Sequence, residues 1–168
     1  MKPFIVVLVC LSCLSSCSTI TSLWSDEPTV DPSTFTKVPQ KLIIDITAAN
    51  NINPNVKGKA SPVEVRIYQL MDSEAFSRAD FLQLYTDEQG VLKTGLLSSR
   101  HLRIILPGEH RRQVIPLMAE TQYIAVIAGF ADYREAKNKA LYKPIKLGST
   151  AISIALDGLN LSVTGEIK

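Results

Sequence analysis

The stretch LIIDITAANNINPNVKGKASPVEVRIYQL (Leu42–Leu70) holds two alternating apolar runs separated by fourteen residues with no period at all. In the first run Leu42, Ile44, Ile46 and Ala48 fall on one face. In the second, Val63, Val65, Ile67 and Gln69 fall on one side, with Glu64, Arg66, Tyr68 and Leu70 opposite. A period of two with an apolar face is what a strand needs when one side packs on a core.

The rest of the chain reads the same way. HLRIIL (His101–Leu106) alternates through Leu102, Ile104 and Leu106, then breaks at Pro107-Gly108. RQVIPLM (112–118) is a short strand whose Pro116 suits an edge or a bulge. QYIAVIAGFA (122–131) is almost continuously apolar and predicts a central strand buried on both faces. Thr150–Leu156 and Leu159–Thr164 predict a hairpin turning at Asp157-Gly158, and Tyr142–Leu147 a further edge strand. Lysines crowd REAKNKALYKPIK, where a peripheral strand needs protection from pairing with another chain.

One segment departs from this pattern. SRADFLQLY (Ser77–Tyr85) opens with Ser77 and Asp80 in capping-box spacing and repeats Ala79, Leu82 and Tyr85 every three residues. Ala75 extends the stripe if the helix begins near Ser73. The expected fold is therefore all-β with one inserted helix: an antiparallel β-sandwich of seven or eight strands.

Of the 168 residues, 46% are hydrophobic and 20% charged, which suits a globular domain and not a disordered one. The eighteen basic residues are scattered and the net charge is +2, so no concentrated basic face for nucleic acid is expected.

The N-terminus has its own logic. Lys2 precedes the apolar segment FIVVLVCLSCL (Phe4–Leu14), too short to cross a bilayer but of signal-peptide length. Leu14-Ser15-Ser16-Cys17 then resembles the lipobox of bacterial lipoproteins. The Cys17 thiolate would take a diacylglyceryl group, and small Ser15 and Ser16 admit a peptidase to the bond before it. The competing reading is an ordinary signal peptide or an uncleaved anchor. A zinc or iron–sulfur site is disfavoured, because Cys10, Cys13 and Cys17 have no later cysteine to complete a ligand set. The expected organisation is a signal peptide at 1–16, a lipidated cysteine and tether at 17–38, and the sandwich at 39–168. Ser18 stands where lipoproteins retained in the inner membrane typically carry Asp, which by that sorting rule implies an outer-membrane location facing the periplasm.

Catalytic chemistry has little to build on. His101 and His110 sit at opposite ends of a predicted strand, so a shared metal is not expected. Asp87 and Glu88 read as solvated turn residues, and no serine lies in a G-x-S-x-G or S-x-x-K setting. No catalytic residue, metal, cofactor or small-molecule substrate is assigned, and the chain is read as a non-enzyme.

The segment Asn50–Ser61 that parts the two opening strands is about twice the length of an ordinary connection. Its Asn-rich composition, Pro54 and Gly58 favour a fixed shape. Either Ile52 and Val56 fold back on the sandwich end, or the segment is a preorganised binding loop on a rigid scaffold.

Several stretches together carry a family resemblance: the lipobox, the loop in Leu42–Leu70, AFSRADFLQLY, LLSSRHLRIILPGEHRRQV and TQYIAVIAGFADYREA. In order and wording they resemble the TssJ (VasD/SciN) family of outer-membrane lipoproteins of the bacterial type VI secretion system. That resemblance implies a transthyretin-like sandwich with an added helix. It also implies binding to the periplasmic C-terminal domain of a TssM-like inner-membrane protein through the loop between the first two strands. The implied partner-binding residues are Asn53, Pro54 and Gly58, with Ile52, Asn55, Val56 and Lys57 as neighbours. The lipid on Cys17, diacylglyceryl plus an N-acyl chain, would be the one covalent group. The alternative is a periplasmic ligand-binding module, or a structural or pilot component of another envelope machine.

Overall fold

The computed structural model describes residues 40–144 and 150–166. Eight strands occur in the order β1 (Lys41–Ala48), β2 (Val65–Leu70), β3 (Leu96–His101), β4 (His110–Pro116), β5 (Tyr123–Ala128), β6 (Lys139–Tyr142), β7 (Thr150–Asp157) and β8 (Asn160–Glu166). One sheet has the order β4-β1-β7-β8 and the other β3-β2-β5-β6. Every pairing is antiparallel except β1 with β7, which run side by side in the same direction. The sandwich is thus antiparallel-dominated, with one parallel pair because the chain leaves for the other sheet after β1 and comes back beside it as β7.

The alternation in β1 does what period two requires. Leu42, Ile44, Ile46 and Ala48 all point into the space between the sheets, each at most 2% exposed. They meet Val63, Val65 and Ile67 from the facing sheet, with Ile124, Val126, Ile152, Ile154 and Leu156. A fully buried side chain of this kind contributes roughly 1.5–3 kcal/mol, so this layer is the main source of stability. The opposite face of β2 and β5 is also apolar. Tyr68, Leu70, Ala125 and Ile127 form a second cluster with Phe76, Ala79, Phe81, Leu84 and Leu92 from the helical segment. β5 is accordingly buried on both faces between β2 and β6, as its continuous apolar run predicts. β4 lies at a sheet edge, as Pro116 predicts.

The helical segment departs from a single helix over Ser77–Tyr85. It contains α1 (Glu74–Arg78), α2 (Phe81–Thr86) and α3 (Glu88–Leu92), followed by a 3₁₀ turn at Lys93–Gly95. The break falls at Ala79-Asp80, both extended, because Asp80 begins a new helix instead of continuing one. Its carboxylate accepts from the Gln83 N–H at 2.8 Å while the Gln83 side chain accepts from the Asp80 N–H at 3.0 Å. The capping box is therefore Asp80–Gln83, not Ser77–Asp80. The apolar stripe shifts with it: Phe81 and Leu84 are buried, whereas Leu82 is exposed.

Three strand boundaries also move. The third strand is Leu96–His101, not His101–Leu106. Leu102 and Ile105 are buried, three apart, while Ile104 and Leu106 are exposed, so strict alternation fails there. Only an isolated bridge, Val63 with Ile105, remains from the expected strand. β6 covers Lys139–Tyr142, upstream of the expected Tyr142–Leu147, whose last three residues lie outside the described ones. The final hairpin turns at Gly158-Leu159, with Asp157 paired to Asn160. Gly158 has φ +56°, the glycine-first arrangement that matches strand twist.

The topology gives the domain two distinct poles. The connections β1–β2, β3–β4, β5–β6 and β7–β8 all lie at one end, which we call the loop pole. β1 begins at the opposite end, together with the turn from β4 to β5 and the start of the helical segment.

Candidate functional site

The β1–β2 loop occupies the loop pole and is held from both ends. Its base closes where the Ser61 N–H donates to the Ile52 carbonyl at 3.0 Å. Ile52 is fully buried and packs in the core between the sheets. Asn53 is also buried, with φ +48°, a left-handed conformation that asparagine tolerates better than most residues.

Asn53 is bonded to three separate segments. Its side-chain Nδ2 donates to the Pro62 carbonyl at 2.7 Å and its Oδ1 accepts from the Ala131 N–H at 2.7 Å. Its backbone N–H donates to the Gly158 carbonyl at 2.8 Å. The loop is thereby tied to the β7–β8 hairpin of one sheet and to the exit of β5 in the other. Asn51 adds a further tie, donating to Asp157 Oδ1 at 2.8 Å.

Beyond Pro54 the chain makes one compact turn. Asn55 Oδ1 accepts from the backbone N–H groups of Lys57 (2.9 Å) and Lys59 (3.1 Å). The Asn55 carbonyl accepts from Gly58, which takes φ +74°, and the Asn55 N–H donates to the Lys59 carbonyl. Val56 sits on this turn with nothing over it, at 104% relative exposure, and Lys57 and Gly58 are exposed beside it. Of the two sequence readings, Ile52 folds back on the sandwich and Val56 does not. Burying one apolar residue fixes the loop, and the other is left for solvent.

The neighbouring β3–β4 connection adds to the same pole. The Gly108 N–H donates to the Ala49 carbonyl, and Glu109 folds back to accept from the Leu106 N–H at 2.8 Å. That bond and Arg111 hold the Glu109 carboxyl below its ordinary range. Ile104 and Leu106 are exposed on this connection at 58% and 53%. They flank buried Ile105 and were hidden in the sequence by an apparent strand alternation. Pro107-Gly108, the break after it, was the signal that a loop lay close by.

Among the sequence-assigned residues, 52–58 are thus brought together in one loop, with Ile52 and Asn53 turned inward and 55–58 outward. Cys17 lies outside the described residues.

A second polar constellation lies under the helices, on the outer face of β2 and β3. Glu88 is not a solvated turn residue. It accepts from Ser99 Oγ at 2.6 Å and Tyr68 Oη at 2.9 Å, and lies 3.1 Å from His101 Nε2. Glu64 accepts from Tyr85 Oη at 2.7 Å and pairs with Arg66 at 2.8 Å, and Arg66 also donates to the Tyr85 carbonyl. Burial pushes both carboxyls up. For Glu88 the bonds from Ser99, Tyr68 and His101 outweigh it; for Glu64 those from Arg66 and Tyr85 do. Both end below the ordinary 4.5. Burial and Glu88 in turn push the Tyr68 hydroxyl up. The arrangement pins α2 and α3 to the sheet.

A carboxyl with a lowered native pKa stabilises the fold above its unfolded pKa and loses that contribution as pH falls through the native value. The urea midpoint should therefore fall as pH is lowered from 5 to 3. Glu88→Gln should start lower at pH 7 and fall less over the same interval. Parallel curves for the two proteins would show that Glu88 is not one of the responsible groups.

Among the described residues, no group of three or more His, Cys, Asp or Glu is placed to hold a metal ion, and no helix is long and apolar enough to cross a membrane.

These features define a class: a small two-sheet sandwich with a helical cover on one face, presenting a rigid, apolar-tipped loop at one pole. The chain belongs to the type VI secretion lipoprotein family, whose model (T6SS-SciN; VasD, EvfM, TssJ) matches residues 40–159. The type VI lipoprotein TssJ1 from Pseudomonas aeruginosa is similar in structure. It is 26% identical with a TM-score of 0.72, and the match covers 77% of this chain and 98% of that one. A chain from a type VI membrane complex matches at 26% identity and TM-score 0.67, covering 75% and 98%. A chain from a structure of the TssM C-terminal domain from EAEC matches at 25% identity and TM-score 0.64, covering 74% and 98%. No curated protein sequence matches the chain.

Proposed function

We propose that this protein is an outer-membrane lipoprotein, attached through lipidated Cys17, that anchors a type VI secretion membrane complex by docking a TssM-like inner-membrane protein. Contact with the partner's periplasmic C-terminal domain is made by the β1–β2 loop. The observation that carries this reading is a fully exposed Val56 on a turn that is internally hydrogen-bonded and stapled to both sheets. A loop that must be ordered on binding loses affinity to that ordering, and this one is ordered beforehand. Family membership and the resemblance to a chain from a membrane complex agree with it.

Roles within the loop then divide. Val56 and Lys57 make contact, Pro54, Asn55 and Gly58 shape the turn, and Ile52 and Asn53 hold it in place. Ile104 and Leu106 extend the apolar surface on the same pole.

Val56→Asp tests this directly against a purified TssM-like periplasmic domain. A valine buried on docking is worth roughly 1.5–3 kcal/mol, so affinity should drop at least about tenfold. The urea midpoint should barely move, because exposed substitutions usually change stability by no more than about 0.5 kcal/mol. Unchanged affinity would place the contact on another surface.

A further inference from the structure

The pole at which β1 begins has features of its own. The Leu117 N–H donates to the Gln40 carbonyl at 2.8 Å, so Gln40 lies beside the β4–β5 turn. That turn is built around Gln69, a buried side chain at the end of β2. Gln69 donates to the Pro116 carbonyl (2.8 Å) and accepts from the Met118 N–H (2.8 Å) and Thr121 Oγ1 (3.0 Å). The Gln122 N–H then donates to the Leu70 carbonyl, and Met71 follows directly, held to Gly95.

This bonded belt presents two methionines outward, Met71 at 48% and Met118 at 41% exposure. Among the described residues, exposed charges on the same pole nearly balance, with Lys41, Lys93 and Lys143 against Asp72 and Glu120. Unbranched, polarizable methionine side chains adapt to irregular apolar surroundings, which a fluid leaflet provides.

We propose that this pole rests on the phospholipid leaflet that holds the protein, with Met71 and Met118 entering the interface. The inference rests on lipid attachment at Cys17. Only 22 residues lie between Cys17 and Gln40, at most about 80 Å when fully stretched, so an anchored domain stays within reach of the leaflet. At the high local concentration this confinement creates, a contact too weak to bind free protein is occupied. With charges balanced, the contact needs no anionic lipid and resists salt.

The test uses the full lipidated protein in phosphatidylcholine vesicles containing a headgroup nitroxide lipid. A fluorophore is placed at Met71→Cys, Met118→Cys or, on the loop pole, Val56→Cys. Quenching at positions 71 and 118 should exceed that at 56 by at least about fivefold, in low and high salt alike. A probe at Lys41→Cys should lose most of its quenching when Met71→Asp and Met118→Asp are combined. Flotation of the vesicles separates the two ideas. Protein that floats but is quenched equally at both poles keeps the lipid anchor and overturns this contact. Protein that does not float overturns both. Shielding of the 71 and 118 probes that rises with protein concentration without vesicles would assign the pole to a second copy and also overturn the proposal.

Discussion

Asn53→Ala should lower unfolding free energy by about 2–4 kcal/mol, a large effect for a loop position. Three losses combine. The Pro62 carbonyl and the Ala131 N–H each lose their side-chain partner, at 2.7 Å in both cases. Alanine is also less at ease than asparagine at φ +48°. Urea unfolding of the domain reads the sum. Asn53→Gly is the informative companion, since it removes the same two side-chain bonds but takes φ +48° without a steric penalty, so its loss should be smaller. Equal losses from the two variants would mean that the left-handed backbone angle at position 53 contributes nothing. Because Asn53 also positions the turn at 55–58, partner affinity should fall in Asn53→Ala even at temperatures where it remains folded. Val56→Asp should affect affinity alone, and that contrast separates loop shape from loop contact.

Cys17→Ser should move the protein almost completely from the membrane fraction to the soluble periplasmic fraction. Membrane affinity in an acylated protein comes from buried methylenes at about 0.8 kcal/mol each, and one chain alone binds only marginally. Removing the attachment atom removes every chain at once. Among the described residues no helix is able to cross a membrane in their place. The pole bearing Met71 and Met118 is too weak to retain the protein unaided, so it does not rescue the variant. The urea midpoint of the soluble form should equal that of residues 39–168 expressed alone. Retention of Cys17→Ser in the membrane fraction after a high-salt wash would count against lipid attachment.

The sandwich was legible in the sequence wherever one face of a strand meets the core. Leu42, Ile44, Ile46 and Ala48 alternate because the backbone forces them to, and the core removes all four from water. Legibility failed where burial followed another spacing. Leu102 and Ile105 are three apart, so Ile104 looked interior when it is exposed. In the helical segment, the exchange of bonds between Asp80 and Gln83 overrode the apparent continuity of one helix.

The loop was recognisable by its length and its Asn, Pro and Gly content. The division of labour inside it was not, because Asn53 answers to Pro62, Ala131 and Gly158, which only the folded topology brings together. Glu88 escaped for the same reason, since Tyr68, Ser99 and His101 reach it from two strands.

The position of β1 in the chain has a mechanical consequence. Its eight residues run from the pole where Gln40 lies to the pole where the β1–β2 loop begins. A tension applied between Cys17 and that loop therefore travels along one covalent backbone. It does not have to pass across the hydrogen-bond ladders. A strand is already drawn out to about 3.3 Å per residue, so this tie has almost no slack to give before covalent bonds take the strain. β4 and β7 flank it on either side and keep it straight. The loop's bonds through Asn53 to Pro62, Ala131 and Gly158 spread part of such a pull into both sheets.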